Sequence, residues 1–417
     1  MAKLQSVRGT HDMLPDDSPR FRHVTETARS WAARYGYGEI ATPIFEFTEV
    51  FQRTLGETSD VVTKEMYTFE DRGGEQITLR PEHTAGIVRA MVSNGLASQL
   101  PLKVFASGPT FRYERPQKGR LRQFHQIDVE LLGVPGAQAD VEVTTLAADI
   151  LGALGVAAKT TLELNTLGDG PSRDAYRERL VAYFSDHRDD LSEDSQARLN
   201  RNPLRILDSK AEGDRALVVD APKMSESLNA ESSEFFDAVC DGLDAVGIAY
   251  TVNDRLVRGL DYYAHTAFEF TTTELGSQGA VIAGGRYDGL TEMMGGPPTA
   301  GIGWAGGIER LAMLVDHVPA AVRPISLIPM GDAGEAKARA IAHELRGAGF
   351  TIDLGFSGNL KKRLKRANKL NAVAAVLLGE DELARGEATV RDLESGEQTA
   401  IDLDGLTQAL NRYRNDT

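Results

Sequence analysis

The stretch Phe111–Gly133, FRYERPQKGRLRQFHQIDVELLG, constrains this chain more than any other. Two runs of alternating side chains flank a polar turn, PQKGR, which predicts a β-hairpin. Arg112 and Glu114 share one face of the first predicted strand. On the second, Phe124, Gln126, Asp128 and Glu130 share a face, and His125, Ile127, Val129 and Leu131 share the other. One face therefore packs on a core, while the other sets Arg, Gln and Glu around an aromatic ring. A solvated face has no reason to hold Phe124 among charges. A binding floor has one: the ring stacks on a purine, an arginine holds a phosphate and a carboxylate holds an ammonium. An edge hairpin with charge pairs is the alternative reading of the same pattern.

A chain of 417 residues exceeds what one core organises, so two or three domains are expected. Asp16, Asp17 and Ser18 offer caps for a helix carrying Phe21, Val24, Ala28, Trp31, Ala32 and Tyr35. A short strand, Glu39 to Thr42, is expected to run into Pro43. Residues 168–245 turn polar and helical and read as an insertion. Strand signals return at 266–272 and 280–283, and GIGWAGG (301–307) then feeds a helix. Pro319 and Pro324 bracket a linker. Beyond it strand and helix alternate, which predicts a small α/β domain with a largely parallel sheet.

Net charge is −15, which by itself argues against a polyanionic partner. Two windows reverse that locally. One holds Arg112, Arg115, Lys118, Arg120 and Arg122; the other holds Lys361, Lys362, Arg363, Lys365, Arg366 and Lys369. No apolar run approaches the roughly 18 residues of a membrane span. The start, MAKLQSVRGTHDML, lacks the apolar stretch of a secretory signal, so a cytoplasmic location is expected. The one cysteine, Cys240, reads as helix packing, and eight scattered histidines show no zinc-ligand spacing, so no metal site is predicted.

Three further segments concentrate polar residues in turns. TLRPEHTAG (78–86) holds Arg80 and Glu82 around Pro81; LVRGLDYY (256–263) holds Arg258, Asp261, Tyr262 and Tyr263; AGGRYDGL (283–290) holds Arg286, Tyr287 and Asp288. Such clusters favour a ligand over packing, although either Tyr262 or Tyr263 also suits a core with its hydroxyl satisfied. GIGWAG (301–306) fits G-x-G-x-x-G, but no repeating βαβ unit surrounds it, so a dinucleotide site is not expected. There is no G-x-x-x-x-G-K-[ST] phosphate loop.

Taken together these segments resemble the histidine-specific class II aminoacyl-tRNA synthetases. FRYERPQKGRLRQFHQIDVELLG is similar to the family's motif 2, and GIGWAGGIERL (301–311) to motif 3, ending at Arg310. The helix and strand up to Pro43 resemble motif 1, the dimer-forming element. LVRGLDYY and AGGRYDGL resemble the two histidine signatures, and RGTHDMLP (8–15) the family's opening. The resemblance implies an α+β catalytic domain with an antiparallel sheet over 1–322, a helical insertion at about 168–245, and an α/β anticodon-binding domain over 325–417. KMSES (223–227) is similar to a loop of the class I synthetases, but it lies in the insertion with no partner motif and reads as coincidence.

The resemblance also implies roles. Histidine would be held by Glu82, Thr84, Gln126, Glu130, Arg258, Tyr262 and Tyr263. ATP would be held by Arg112, Glu114, Arg120, Phe124 and Arg310, with Mg²⁺ on its polyphosphate. Arg258 and Arg112 would be catalytic, standing at the α-phosphate. Gln117 would face the acceptor end of tRNA(His), and Lys361, Lys362, Lys365 and Arg366 would meet its anticodon arm. A homodimer is implied. Where the family often has a small residue, this chain has His83, and Trp304 replaces a more usual Phe. A silent relative, the histidine-sensing regulatory subunit of ATP phosphoribosyltransferase, is the alternative; it commonly lacks the last domain and the ATP arginines, both of which are present here.

Overall fold

The computed structural model describes residues 3–56, 61–199, 201–258, 262–276 and 279–414. The chain divides into two compact units, Met1–Val318 and Pro319–Thr417, at the start of the proline-bracketed segment. Among the described residues no helix is long and apolar enough to cross a membrane.

The strands of the first unit are β1 (Gly38–Glu39), β2 (Phe45–Phe47), β3 (Tyr67–Glu70), β4 (Gln76–Leu79), β5 (Leu102–Phe111), β6 (Gln123–Leu132), β7 (Thr161–Thr166), β8 (Thr251–Val252), β9 (Ala264–Thr271), β10 (Ala280–Arg286) and β11 (Gly301–Gly307). Eight of them form one sheet in the order β1-β5-β6-β11-β10-β9-β7-β8. Its inner pairings are antiparallel, and only the outer pairs β1–β5 and β7–β8 run parallel. β2, β4 and β3 form a small antiparallel sheet of their own.

The predicted hairpin is the middle of the large sheet, and its alternation separates two environments. Ile127, Val129 and Leu131 enter a core with Val24 and Ala28 of the helix Ser18–Arg34, Val143, Leu146 and Ile150 of the helix Gln138–Ala153, and Ile308 and Leu311 of the helix Ile308–Leu314. Burying each such side chain stabilises the fold by roughly 1.5–3 kcal/mol. Trp304 joins this core with its indole N–H satisfied by the Val143 carbonyl at 3.0 Å.

Several local expectations are corrected. Arg112 and Glu114 stand past the end of β5 rather than on it, because the backbone leaves the ladder when Tyr113 N–H turns to the Glu65 carbonyl at 2.7 Å. The strand expected over 39–42 pairs only at Gly38 and Glu39; beyond Ile40 the carbonyls of Thr42 and Pro43 accept from Arg80 instead. Asp17 does stand at the start of the first helix but makes no side-chain cap. Within the expected insertion, Tyr176, Leu180, Phe184, Ile206 and Val218 build a separate small core. The helix Ala230–Ala245, placed in the insertion from sequence, instead sends Val239 and Leu243 into the main core, with Cys240 partly buried against it.

In the second unit β12 (Ile325–Pro329), β13 (Ile352–Leu354), β14 (Ala374–Leu378), β15 (Glu387–Asp392) and β16 (Gln398–Asp402) form a sheet in the order β13-β12-β14-β15-β16. The first three are parallel, joined through helices, as predicted. β14, β15 and β16 run antiparallel, which the expected largely parallel sheet did not include. The Asp392 carboxylate explains the β15–β16 turn by accepting from the amides of Glu394 and Ser395 at 2.9 and 2.8 Å.

Candidate active site

The polar face of β6 is the floor of a pocket, and Phe124 and Gln126 line it directly. Beside them β11 contributes Gly303, Ala305 and Gly307, alternate residues of the same strand. This explains the glycines of GIGWAGG. A Cβ at Gly303 would collide with the Glu130 carboxylate, so the strand carries glycine to clear the floor. Gly285 on β10 likewise leaves room for the Tyr263 ring.

One wall is the turn Arg80–Thr84 and the start of the helix Thr84–Ser93. Glu82 is 4% exposed and accepts from the amides of Thr84 and Ala85, each at 2.8 Å. Its carboxylate thus rests on the helix N-terminus, where anions are favoured. Burial still pushes its pKa up. Thr84 donates its hydroxyl to Glu130 at 2.5 Å, and Tyr287 donates to the other oxygen. Glu130 lies just beneath the lining, fully buried, and burial raises its pKa to about 8. Gln126 is nearly buried, and its Oε1 has no partner among the described residues. Tyr262 and Tyr263 close this end, with their hydroxyls 3.5 Å apart. Both are nearly buried, at 5% and 7% exposed, and both line the pocket.

The other end is cationic. Arg112 stands 5.5 Å over the Phe124 ring and donates to the Pro81 carbonyl at 3.0 Å. Arg120 pairs with Glu114 at 2.6 Å. Arg310 reaches back from the helix Ile308–Leu314 to the carbonyls of Gly119 and Ala280 at 2.9 and 2.7 Å. Burial, with Arg120 and Arg112 nearby, lowers the Arg310 pKa. Like charges gathered in a half-buried place are relieved by an anion. Between the two ends Arg258 pairs with Glu269 at 2.5 Å and lies 5.1 Å from the Tyr263 ring.

The structure thus gathers Glu82, Thr84, Arg112, Glu114, Arg120, Phe124, Gln126, Arg258, Tyr262, Tyr263 and Arg310 around one cavity. Gln117 lies on the exposed turn of the hairpin, bridged to Arg120. Asp261 falls outside the described residues. Two residues singled out as ligand-like are structural: Arg286 is fully buried against Asp140 and also bonds Asp288 at 3.0 Å, and Asp288 accepts from Gly301 N–H. Tyr287, singled out in the same cluster but given no particular role, is the one of the three that lines the pocket. Glu309 was missed from sequence; it lines the cavity and takes both the backbone N–H and ring Nδ1 of His125. Only its place beside Arg310 hinted at this.

In the second unit the helix Leu360–Lys369 is capped by Asn359, which accepts from Lys362 N–H at 3.1 Å. Lys361, Lys362 and Lys365 are exposed. Arg363 is not part of that surface: it is 8% exposed and bonds the Pro329 and Gly358 carbonyls and Glu335. Arg366 is exposed but tied to Asp353 at 2.9 Å.

An antiparallel floor whose arginines come from a hairpin and from a strand-to-helix junction, with no phosphate loop, defines a class II aminoacyl-tRNA synthetase. The comparisons with known proteins narrow this. The family model described as Histidyl-tRNA synthetase matches residues 9–311, and that described as Anticodon binding domain matches 325–413. A histidine–tRNA ligase of Rhodospirillum rubrum is 60% identical over 415 residues, 99% of this chain and 100% of its own length. One of Gluconacetobacter diazotrophicus is 57% identical over 410 residues, 98% and 99% of the two chains. The crystal structure of apo histidyl-tRNA synthetase from S. aureus superposes with a TM-score of 0.83 at 33% identity, covering 98% of this chain and 99% of that one. The chain belongs to the histidyl-tRNA synthetase family.

Proposed function

We propose that this chain joins histidine to tRNA(His) in two steps, through a histidyl-adenylate, with the labour divided along the pocket. The observation that carries the reading is one cavity with buried carboxylates and an unpartnered amide oxygen at one end, arginines at the other, and Arg258 between them. The amino acid's ammonium is received by Glu82, Thr84 and Gln126 from the wall and floor, with Glu130 just beneath. Tyr262 and Tyr263 shape the imidazole's place. The adenine stacks on Phe124 and bonds Glu114, and Arg112, Arg120 and Arg310 hold the phosphates.

The first step is attack by a carboxylate on the α-phosphorus. Both partners are anionic, so the need is positive charge fixed in advance. Arg112 and Arg258 supply it as the catalytic pair. No general base is required, because the attacking carboxylate is already ionised near neutral pH. Mg²⁺ is proposed to arrive on the nucleotide and neutralise its polyphosphate; among the described residues no group of three or more His, Cys, Asp or Glu stands ready to hold a metal. For the transfer step Gln117 faces the tRNA acceptor end, and Lys361, Lys362, Lys365 and Arg366 meet the anticodon arm in the cytoplasm. The residue match over 325–413 and the presence of Arg112, Arg258 and Arg310 set the regulatory-subunit alternative aside.

A homodimer is part of the reading. The β2-β4-β3 sheet aligns Phe45, Phe47 and Phe69 with Ile77 and Leu79 on one face, and the three phenylalanines are 55%, 57% and 47% exposed. A second copy related by a two-fold axis would cover such a face. Light scattering should give twice the chain mass, and a fully active monomer at micromolar concentration would refute it. The activity itself is tested by pyrophosphate exchange into ATP with each amino acid in turn. Histidine alone should support exchange; exchange with proline or threonine and none with histidine would overturn the assignment.

A further inference from the structure

Asp128 has no role in the chemistry above, yet it sits in the middle of the floor. Strand alternation places it between Gln126 and Glu130 on the polar face of β6. It is completely buried, and neither carboxylate oxygen has a hydrogen-bond partner among the described residues. A buried carboxyl left unsatisfied is costly, so the arrangement calls for a partner. The nearest is His83, 1% exposed, whose Nε2 lies 4.0 Å from Asp128 Oδ2. That is about 1 Å beyond hydrogen-bond reach. Nε2 also lies 3.4 Å from the Gly108 carbonyl, and His83 Nδ1 has no partner. Arg80, close by, spends its guanidinium on the carbonyls of Thr42 and Pro109.

His83 is well placed to transmit force. It is the residue just before the helix Thr84–Ser93, within the turn that carries Glu82 and Thr84. The same turn offers the Pro81 carbonyl to Arg112 at 3.0 Å and the Thr84 hydroxyl to Glu130 at 2.5 Å. The Thr84–Glu130 bond joins the pocket's wall to its floor at one point, and the His83–Asp128 gap is a part of that contact left open. Burial, with Glu130 and Glu82 alongside, pushes Asp128 well above the usual carboxylate range, and burial pushes His83 down to about 3. Burial disfavours charge on both groups, so a hydrogen bond between them suits the site better than a buried ion pair.

We propose that His83 and Asp128 are a positioning pair, closing into a hydrogen bond when the amino acid fills the pocket and so seating the Arg80–Thr84 turn against β6. This rests on the reading that the pocket takes the α-amino group of histidine. The pair governs how closely Glu82 sits to Gln126, and it reaches the nucleotide end only indirectly, through the Pro81 carbonyl on Arg112. Its loss should therefore raise the KM for histidine far more than that for ATP.

The test is pyrophosphate exchange by the full chain, with KM measured for each substrate. Asp128→Ala and His83→Ala should each raise the histidine KM about tenfold, with the ATP KM within about twofold. The double variant should be no worse than either single one, because the two residues act as one contact. Asp128→Asn, which keeps a hydrogen-bonding group of the same size, should bring the histidine KM back to within about threefold of the starting value. His83→Phe keeps ring volume and removes the hydrogen bond, so it must also raise the histidine KM, even where an alanine variant does not fold. An unchanged histidine KM in His83→Phe, effects that multiply in the double variant, or an ATP KM that rises in step would each overturn the pair. No histidine-dependent exchange by the unaltered chain would overturn the pocket assignment and the pair together.

Discussion

The pocket of the first unit and the helix Leu360–Lys369 of the second are both rich in charge, but they use it under opposite physical conditions. In the pocket, Glu82, Glu130 and Arg258 are buried or nearly so, each held by one or two named partners. Removing one leaves its partner uncompensated where water cannot reach, so single substitutions should be severe. On the helix, Lys361, Lys362 and Lys365 stand in solvent. There each charge is screened and replaceable, and its contribution to a polyanion is a share of a sum. Charge at a buried site therefore encodes geometry, whereas charge at the surface encodes a field.

The sharpest way to break this contrast is Arg258→Ala. Its loss strips fixed counter-charge from a phosphate and a carboxylate, about 3–5 kcal/mol. Histidine-dependent exchange should fall several hundred-fold or more, on the order of 2–4 factors of ten by the same conversion, while circular dichroism shows the chain still folded. Activity within a few-fold of the unaltered chain would make Arg258 structural.

Glu130→Gln should act next most strongly, and through pH. In the empty pocket Glu130 holds a proton up to about 8, against an ordinary value of 4.5. An incoming ammonium favours the ionised form, so the histidine KM of the unaltered chain should fall as pH rises from about 6.5 to 8. Glu130→Gln should raise that KM about tenfold and lose the slope. Stability runs the other way. With its folded pKa raised, Glu130 contributes stability that is full below 4.5 and lost as pH rises through about 8. The Tm of Glu130→Gln should therefore gain on that of the unaltered chain between these limits. A constant difference across the range would remove Glu130 from the titration.

Replacing Lys361, Lys362, Lys365 and Arg366 together by Gln should have the smallest effect, raising the KM for tRNA roughly fivefold and flattening its salt dependence as fewer counterions are released. Exchange should not change. Arg366→Gln alone should matter least, since Asp353 already occupies that guanidinium. A parallel fall in exchange and charging would show that the helix supports the fold instead.

The contrast also explains what was legible from sequence. Alternation along 123–132 placed Phe124 and Gln126 on the floor, because in a sheet residue spacing alone decides the face, whereas Arg112 and Glu114, beyond the end of β5, escaped it. The strand–helix alternation after 325 identified the second unit for a similar reason. Arg363 shows where such reading stops: it looked like one more cation on a basic helix, and only packing against Pro329 and Glu335 reveals it as buried. Arg286 and Tyr287 are adjacent, yet one is locked to Asp140 and the other meets the ligand space.

By itself, then, the sequence determined the second strand of the hairpin, which residue types meet on its polar face, and the strand–helix alternation that opens the second unit, since these follow from local periodicity and backbone preference. The tertiary structure decided what lies behind each side chain. It brought Tyr287 and Thr84 onto Glu130 from positions 157 and 46 residues away, and set His83 opposite Asp128. Those pairings are long-range, and their energies depend on burial and on distances that no spacing along the chain encodes.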